Sequence, residues 1–360
     1  MRPDARNNVL GRAVRQAARG LSPAYFALVM ATGIVSVEAH LLGMRRVASA
    51  LFEFNVAAFA ALVVLTVLRA CWFARELWHD MMDHRKGPGF FTSVAAAAVL
   101  GSQCVVLEGD YRSAAALWVL ALVLWAGLTY AMFSGFAVKE RKPALDESIS
   151  GTWLLAVVAT QSIAVLTAYL TAHRTLPYEP ALDFLALSLW LWGGMLYIWI
   201  IALIFYRSIF FQLSPLDFTA PYWISMGAMA ISTLAGALLV DNARDAALLA
   251  PLAPFLEGFT VLCWATGTWW IPLLVVLMVW RHWYRRVPLQ YGPLSWSAVF
   301  PLGMYAASSF QMAHALGLEF LYPILPYAGY VALAAWAIAC VGLARALLHS
   351  LVAQVRTSGA

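Results

Sequence analysis

Four titratable residues lie inside or at the ends of long apolar runs, where an ionisable side chain is costly and marks a functional candidate. They are Glu38, His40, Glu257 and His314. A carboxyl group there can carry a proton, and a histidine that titrates near neutral pH can attract an anion. The simpler interpretations are helix capping or cross-linking for the glutamates and a neutral, hydrogen-bonded ring for His314. A carboxylate on an anion pathway is unfavourable unless it is protonated or paired.

No catalytic or metal-binding pattern accompanies these residues. The sequence contains no HExxH pair, no GxSxG elbow and no cluster of His and Asp at ligand spacing. His79 and His84 stand beside Asp80 and Asp83, which is more simply a solvated charged loop. The four cysteines occur singly in or beside apolar runs, as small apolar filler does. We therefore expect no enzyme activity, no cofactor, no disulfide and no structural metal.

The composition places these residues in a membrane. Of the 360 residues, 63% are hydrophobic and 11% are charged, whereas a soluble domain is about 45–50% apolar and about 25% charged. A helix crosses the bilayer with about 20 mainly apolar residues. Ten such runs lie near 22–42, 49–73, 89–107, 112–137, 150–172, 183–209, 219–240, 251–280, 294–316 and 324–348. We predict an all-α polytopic membrane protein with ten transmembrane helices.

The basic residues predict the orientation of these spans. With both termini cytoplasmic, 18 of the 23 Lys and Arg residues fall on inner segments, as the positive-inside rule requires. We expect a basic cytoplasmic tail at 1–20 without a cleavable signal, a membrane domain at 21–348 and a cytoplasmic tail at 349–360. For the first tail, a short interfacial helix and a disordered segment are both open. The basic residues are spread between apolar runs, so we expect no nucleic-acid partner.

The odd-numbered spans begin alike, with a turn-favouring residue shortly before an aromatic one. The five starts read Pro23-Ala-Tyr-Phe26, Pro88-Gly-Phe-Phe91, Ser150-Gly-Thr-Trp153, Pro221-Tyr-Trp223 and Pro293-Leu-Ser-Trp296. The aromatic residues are 65, 62, 70 and 73 positions apart, and each interval fits one helical hairpin. The alternative is that any interfacial helix start has this form, because proline suits the first turn and an aromatic residue suits the interface.

Residue size distinguishes the two sets of spans. The odd-numbered spans are rich in Ala, Gly, Ser and Thr, whereas the even-numbered spans are richer in Leu, Val, Ile and Trp. Small residues let helices approach closely or leave a lumen, and bulky aliphatic residues suit lipid. We therefore expect five tandem hairpins with the odd helices inside, arranged around a central pore.

The chain resembles the tellurite-resistance/dicarboxylate transporter family, which includes bacterial tellurite-resistance protein A, yeast malate permeases and plant slow-type anion channels. The resemblance covers residues 20–348 and is carried by Ser22-Pro-Ala-Tyr-Phe-Ala-Leu-Val-Met-Ala-Thr-Gly33, Tyr222-Trp-Ile-Ser-Met-Gly227, Thr268-Trp-Trp-Ile-Pro272 and Trp296-Ser-Ala-Val-Phe300-Pro301. It implies quasi-fivefold symmetry, a homotrimer with one pore per subunit in a bacterial inner membrane, and a phenylalanine on the ninth span, Phe300, that plugs the pore.

The repeat places Phe300 among small neighbours. It lies four residues after Trp296, and the same offset gives Met30, Ala95, Val157 and Gly227. The alternative is that Phe300 is an ordinary apolar residue packed between helices. One face of each odd span, followed at helical spacing, predicts this lining: Met30, Gly33, Val37, Ala95, Ala98, Ser102, Val157, Thr160, Ala164, Thr167, Gly227, Ala230, Leu234, Gly303, Ala307 and His314. The buried amides Gln161 and Gln311 more simply tie helices together.

Two transport functions are open. The first is a gated or passive pathway for small inorganic or carboxylate anions, with Phe300 as the gate. An uncharged lining can pass anions, because backbone amides and hydroxyl groups supply positive dipole ends without trapping the ion. The second is a proton-coupled carrier of a C4-dicarboxylate or a tellurite-related oxyanion. It needs a titratable group on the path, for which His314, Glu38 and His40 are the candidates.

Overall fold

The computed structural model describes residue 11 and residues 14–173 and 179–358, with side chains described up to residue 348. Within these ranges the regular secondary structure is entirely helical. The ten long helices are α1 Phe26–Leu41, α2 Arg45–Trp72, α3 Phe91–Gln103, α4 Tyr111–Val138, α5 Leu155–Ala172, α6 Glu179–Phe210, α7 Ile224–Asn242, α8 Ala253–Val279, α9 Trp296–Leu316 and α10 Leu325–Ser358. Most of the predicted N-terminal tail up to residue 13, the outer Arg174 and the side chains of the predicted C-terminal tail lie outside the described residues.

The chain is an all-α polytopic membrane protein. Within the described residues, nine helical segments are long and apolar enough to cross a membrane, judged by length and composition only. They fall on nine of the ten predicted runs. The predicted ninth span is α9, a helix of 21 residues that lies outside this set because serine, glutamine and proline make it less apolar. Ten crossings therefore remain a prediction.

The odd-numbered helices form the buried layer. In the most apolar stretch of each segment, α1, α3, α5 and α7 have 78–94% of their residues buried, against 11–50% for the even-numbered helices. The highest value among the outer helices belongs to α6. Its Gly193 lies against Gln161 of α5, where an added Cβ would be 2.5 Å from the Gln161 Nε2 atom. A glycine at this position lets α6 approach the inner layer more closely than its counterparts do.

The five inner helices contact one another in a closed ring. In chain order α1 contacts α3, α3 contacts α5, α5 contacts α7 and α7 contacts α9, and α9 returns to α1. Every outer helix packs against the inner helix of its own hairpin and also against the inner helix of the next hairpin. The arrangement of two layers follows from residue size, because small side chains permit five helices to meet around one axis.

A second ring lies at the N-terminal ends of the inner helices. Each inner helix is preceded by a 3₁₀ turn, and these five turns also contact one another in a closed circle. They are Pro23–Tyr25, Gly87–Phe90, Gly151–Leu154, Ala220–Trp223 and Pro293–Ser295. At Gly151 an added Cβ would lie 2.2 Å from the carbonyl oxygen of Pro221, so this contact between two backbones requires glycine. We call this ring the N-terminal mouth.

Hydrogen bonds join each hairpin to the next one. On every outer helix a side-chain N–H group donates to the inner helix of the following hairpin, which satisfies polar groups that lipid cannot. The pairs are Asn55 with Gln103 at 2.6 Å, Trp118 with Thr167, Trp125 with Thr160, Trp190 with the carbonyl of Ser232 and Trp264 with Ser309, each at 2.8 Å, and Trp336 with Thr32 at 3.0 Å. The last pair joins the fifth hairpin to the first and closes the circle.

Candidate ion pathway

Phe300 lies on α9 between the two neighbouring inner helices. One residue later, Pro301 packs against Gly227 of α7, where an added Cβ would be 2.6 Å from the proline Cγ atom. Three residues later, Gly303 packs against Ile34 of α1 at 3.0 Å by the same measure. These two contacts fix the sides of α9 that face its neighbours in the ring.

The outer helix α8 contacts the side of α9 that lies opposite Phe300. The hydroxyl groups of Thr268 and Tyr305 are 2.9 Å apart, and Trp264 donates to Ser309 at 2.8 Å. With 3.6 residues per turn, the face of Phe300 is roughly opposite the face of Tyr305 and Ser309. Phe300 is therefore directed into the ring, and only 1% of its surface is exposed.

The helix starts give a second count of the level of Phe300. Trp153 and Trp223 belong to 3₁₀ turns, and the α-helices begin later, at Leu155 and Ile224. Counting four residues from the first residue of each inner helix gives Met30, Ala95, Ala159, Ala228 and Phe300. The count from the aromatic residues has Val157 and Gly227 in place of Ala159 and Ala228, and the membership of this level stays a prediction. Phe300 is the one aromatic ring in either count.

The predicted lining face of α5 is corrected as well. Thr160 and Thr167 were assigned to the pore together with Val157 and Ala164. Both threonine hydroxyl groups instead accept hydrogen bonds from tryptophans of the outer helix α4. The face that carries all four residues therefore lies against α4. On the opposite face Ser162 donates to the carbonyl of Val158 at 2.7 Å, and this face is directed into the ring.

Small residues of the other predicted faces serve helix packing. An added Cβ at Gly33 would lie 2.5 Å from Val99 of α3, so Gly33 belongs to a contact between helices, as do Gly227 and Gly303. Ala230 lies beside Gly267 of the outer helix α8. These four assignments to the lumen are corrected in the same way, because the residues face neighbouring helices.

The remaining predicted lining residues stay predictions. Seven of them are buried, namely Met30, Val37, Ala95, Ala98, Ser102, Leu234 and Ala307. The eighth is His314. Ser102 donates to the carbonyl of Ala98 at 3.0 Å, so its hydroxyl oxygen keeps a free lone pair. His314 is exposed near the end of α9.

The buried amides tie helices together, as the simpler interpretation held. Gln161 donates to the carbonyl of Trp190 at 2.9 Å, and Gln311 donates to the carboxylate of Asp241 at 2.6 Å. Asp241 also pairs with Arg244 at 3.3 Å. The sequence interpretation missed Asp241. Its signal was an acidic residue at the end of an otherwise apolar run.

The other titratable candidates lie away from the axis. Glu38 is 3% exposed and faces α10, where an added Cβ at Gly329 would be 2.5 Å from the glutamate Oε1 atom. Its Oε2 atom has no hydrogen-bond partner among the described residues. His40 is half-buried at the end of α1, and Glu257 is exposed on the outer helix α8.

A cavity of about 630 Å³ opens at the N-terminal mouth, and we call it the mouth cavity. Four of the five 3₁₀ turns contribute to its wall, through Pro23, Gly89, Thr152 and Leu294 among others. The rest of the wall includes the uncharged Gly20, Leu21 and Ser22, the titratable His79 and seven charged residues. It contains five basic residues and two acidic ones, namely Arg19, Arg69, Arg75, Arg85, Lys86, Glu76 and Asp80. The cavity therefore carries a net positive charge where the ring begins.

Asp80 organises the charges of the mouth cavity. It lies on a short helix, Ala74–Met81, and its two carboxylate oxygens bind Arg69 at 2.6 Å and Lys86 at 2.8 Å. Burial alone would raise the pKa of Asp80, but the hydrogen bonds from Lys86 and Arg69 hold this pKa below its ordinary value. The carboxylate is therefore charged at neutral pH. The exposed pair of Arg19 and Glu76 is screened by water and contributes little.

The family model of the voltage-dependent anion channels matches residues 20–344, which is nearly the whole chain. The chain belongs to the voltage-dependent anion channel family. The match covers both rings and all five hairpins.

Relatives of this anion-channel family member are described as membrane proteins and transporters. An uncharacterized membrane protein of Mycobacterium tuberculosis is 42% identical over 164 residues, which cover 46% of this chain and 81% of the relative. Two uncharacterized transporters of Methanocaldococcus jannaschii are 24% and 21% identical and cover 86–87% of this chain and 87–89% of their own length. Together with the family match, they support transport across a membrane as the general function.

Proposed function

We propose that the chain is a pathway for small anions through the ring of odd-numbered helices, with Phe300 as its gate. The observation that carries this proposal is the meeting of five helix N-termini at a mouth whose cavity is net positive. A helix N-terminus carries roughly +0.5 elementary charge. Five of them attract an anion without placing a fixed cation in the lumen, so the ion is not held too tightly to leave.

The gate assignment rests on the direction and level of Phe300. Its ring is directed into a narrow interior at a level where three of the five residues are alanines. A large ring among small neighbours blocks a lumen sterically, and a small rotation of that ring opens it. Removing the ring should therefore leave the rest of the pathway intact and raise the flux.

Replacing Phe300 by alanine tests the gate. We expect Phe300→Ala to raise the anion conductance of purified protein in liposome patches at least about tenfold, because a hydrophobic constriction gates by dewetting. The control is Phe310→Ala, which removes a half-buried ring from the same helix; that ring is tilted against Tyr322, with 5.9 Å between the ring centroids. If the conductance of Phe300→Ala is unchanged while the liposomes contain the normal amount of protein, Phe300 is not the gate.

The orientation and the assembly are part of the same proposal. The excess of basic residues on one side supports a cytoplasmic N-terminal mouth and cytoplasmic termini, and we expect the membrane to be a bacterial inner membrane. Three subunits with one pore each are expected from the family resemblance. In this role the chain transports and catalyses no reaction. Mass photometry of the protein in nanodiscs tests the trimer.

A second candidate is proton-coupled transport of a C4-dicarboxylate. The observation that favours it is Glu38, a carboxyl group buried within a span whose Oε2 atom has no partner among the described residues. A buried carboxyl group without a cationic partner favours its protonated form, which a proton carrier requires. We expect Glu38→Gln to abolish the dependence of malate uptake on a pH gradient if this mechanism operates. Uptake that ignores the gradient in the parent protein excludes it.

A further inference from the structure

The mouth cavity contains more positive charge than its own carboxylates neutralise. Its five basic side chains face two acidic ones, which leaves three positive charges over. Arg75 is exposed and forms no ion pair within the described residues, and Arg85 donates to the carbonyl of Glu147, which is uncharged. Two guanidinium groups at the cavity thus have no carboxylate partner.

Arg69 adds a buried donor to the same wall. It is 4% exposed, and its two terminal nitrogens donate to the carbonyl of Leu21 and to the carboxylate of Asp80. Its Nε atom has no hydrogen-bond partner among the described residues. An unpaired donor in a buried guanidinium is costly, but this atom is shielded from the cavity, so Arg69 contributes its positive charge and its bond to Asp80.

The side chains of the cavity select the ligand. The cavity of about 630 Å³ is many times the roughly 30 Å³ that one water molecule takes up, so it admits an ion of several atoms. Arginine forks match the planar or tetrahedral oxygens of carboxylate and phosphate groups. Asp80 already shows that the site accepts a carboxylate, because each of its oxygens binds one cation.

We propose that the mouth cavity is a binding site for a small, multiply charged oxyanion, either a dicarboxylate or inorganic phosphate. Arg75 and Arg85 bind the ligand directly, and Arg69 adds positive charge to the wall behind them. Lys86 is neutralised by Asp80, which prevents the site from holding its ligand too tightly. This inference rests on the proposed function only in that a filled site loads the N-terminal mouth with anions.

Calorimetric titration of the full-length protein in phosphatidylcholine nanodiscs tests the site. The probes are sodium succinate, sodium phosphate and sodium chloride at matched ionic strength and neutral pH. We expect saturable binding of succinate or phosphate, with one ligand per chain and no saturable binding of chloride. The stronger of the two oxyanions identifies the ligand chemistry. Arg75→Gln combined with Arg85→Gln should weaken this binding at least about tenfold, because two charge-assisted contacts are lost.

The matched control removes two charges from another loop. Arg141→Gln combined with Lys142→Gln changes the net charge equally, and neither residue borders the cavity. Equal weakening by both double variants, or equal binding of chloride, would overturn the site, as would binding that requires phosphatidylglycerol in the nanodisc. The binding measurement does not depend on ion flux. If no oxyanion binds at the mouth but Phe300→Ala still raises the conductance, the binding site is excluded and the proposed ion pathway is not. Normal binding with no conductance in any variant counts against the pathway alone.

Discussion

The N-terminal mouth and the interior around Phe300 use opposite physical means, although Phe300 lies only four residues beyond the first residue of α9. The mouth is rich in charge, with Asp80 held between Arg69 and Lys86 beside unpaired guanidinium groups. The interior is nearly free of charge, and Thr32, Thr160 and Thr167 of its helices accept hydrogen bonds from the outer layer. Under the proposed function this difference separates attraction from passage: the mouth would gather anions, and the interior would limit them by size.

A negative charge in the interior gives the largest expected effect. We expect Ala95→Asp to lower the anion conductance about 100-fold in the Phe300→Ala background, because Ala95 is fully buried and a negative charge in a low-dielectric interior repels the ion strongly. The same change at the mouth, Leu294→Asp, should lower it only a few-fold, since water and neighbouring cations screen the charge. Liposome patch recordings measure both variants.

The neutral variant Ala95→Ser is the control for Ala95→Asp. It adds a polar atom of similar size to the same position and should leave the conductance within a factor of about two. Equal losses for Ala95→Asp and Leu294→Asp would break the separation between mouth and interior. Equal losses for Ala95→Ser and Ala95→Asp would mean that Ala95 matters through packing.

Length and composition were enough to predict the helices, because a membrane forces each apolar run of sufficient length to be helical. Residue size predicted the two layers. The directions of the inner faces were harder, because an inner helix is buried on all sides and its apolar pattern marks no single face. Thr160 looked like a lumen hydroxyl on this basis, yet it is the partner of Trp125.

The register of the repeat depends on the residue from which it is counted. Trp153 and Trp223 lie inside 3₁₀ turns, whereas Phe26, Phe91 and Trp296 are the first residues of their α-helices, so the two counts differ in α5 and α7. The mouth cavity was foreseen only as a general excess of basic loops. Its ion pairs join residues on both sides of a helix break, such as Arg69 and Asp80. Sequence spacing does not reveal such pairs, since the break sets the angle between the two helices.

Removing the central carboxylate of the mouth gives the next largest effect. Asp80→Asn leaves the buried Arg69 without its counter-charge, and we expect a loss of about 3 kcal/mol in unfolding free energy. Glu76→Gln breaks only the exposed pair with Arg19 and should leave stability unchanged. Equilibrium unfolding in detergent measures both. Similar losses for the two variants would show that Arg69 does not depend on Asp80.

The pH dependence of this effect follows from the lowered pKa of Asp80. A carboxylate whose pKa is lower in the folded state contributes its stability above the unfolded value, about 3.9. That contribution is lost as the pH falls through the lower, folded value. The stability difference between the parent protein and Asp80→Asn should therefore be constant from neutral pH to about pH 5 and should shrink only in stronger acid. A difference that disappears between pH 7 and pH 5 would contradict this assignment of the charge.

The smallest expected effect concerns the closure of the ring. Trp336→Phe removes the hydrogen bond to Thr32 that joins the fifth hairpin to the first, and it keeps most of the aromatic packing. We expect a loss of about 1 kcal/mol in unfolding free energy, which is typical of one hydrogen bond. Trp199→Phe is the control, because Trp199 is 51% exposed on the outer helix α6.

The same variant separates the interior from the mouth. Thr32 lies two residues beyond Met30 on the same inner helix, about half a turn from the level of Phe300. Neither Thr32 nor Trp336 borders the mouth cavity. Trp336→Phe should therefore change the open-state conductance of Phe300→Ala and leave succinate binding at the mouth unaltered. If succinate binding weakens as well, the two rings are mechanically coupled, and attraction and passage cannot be assigned to separate regions.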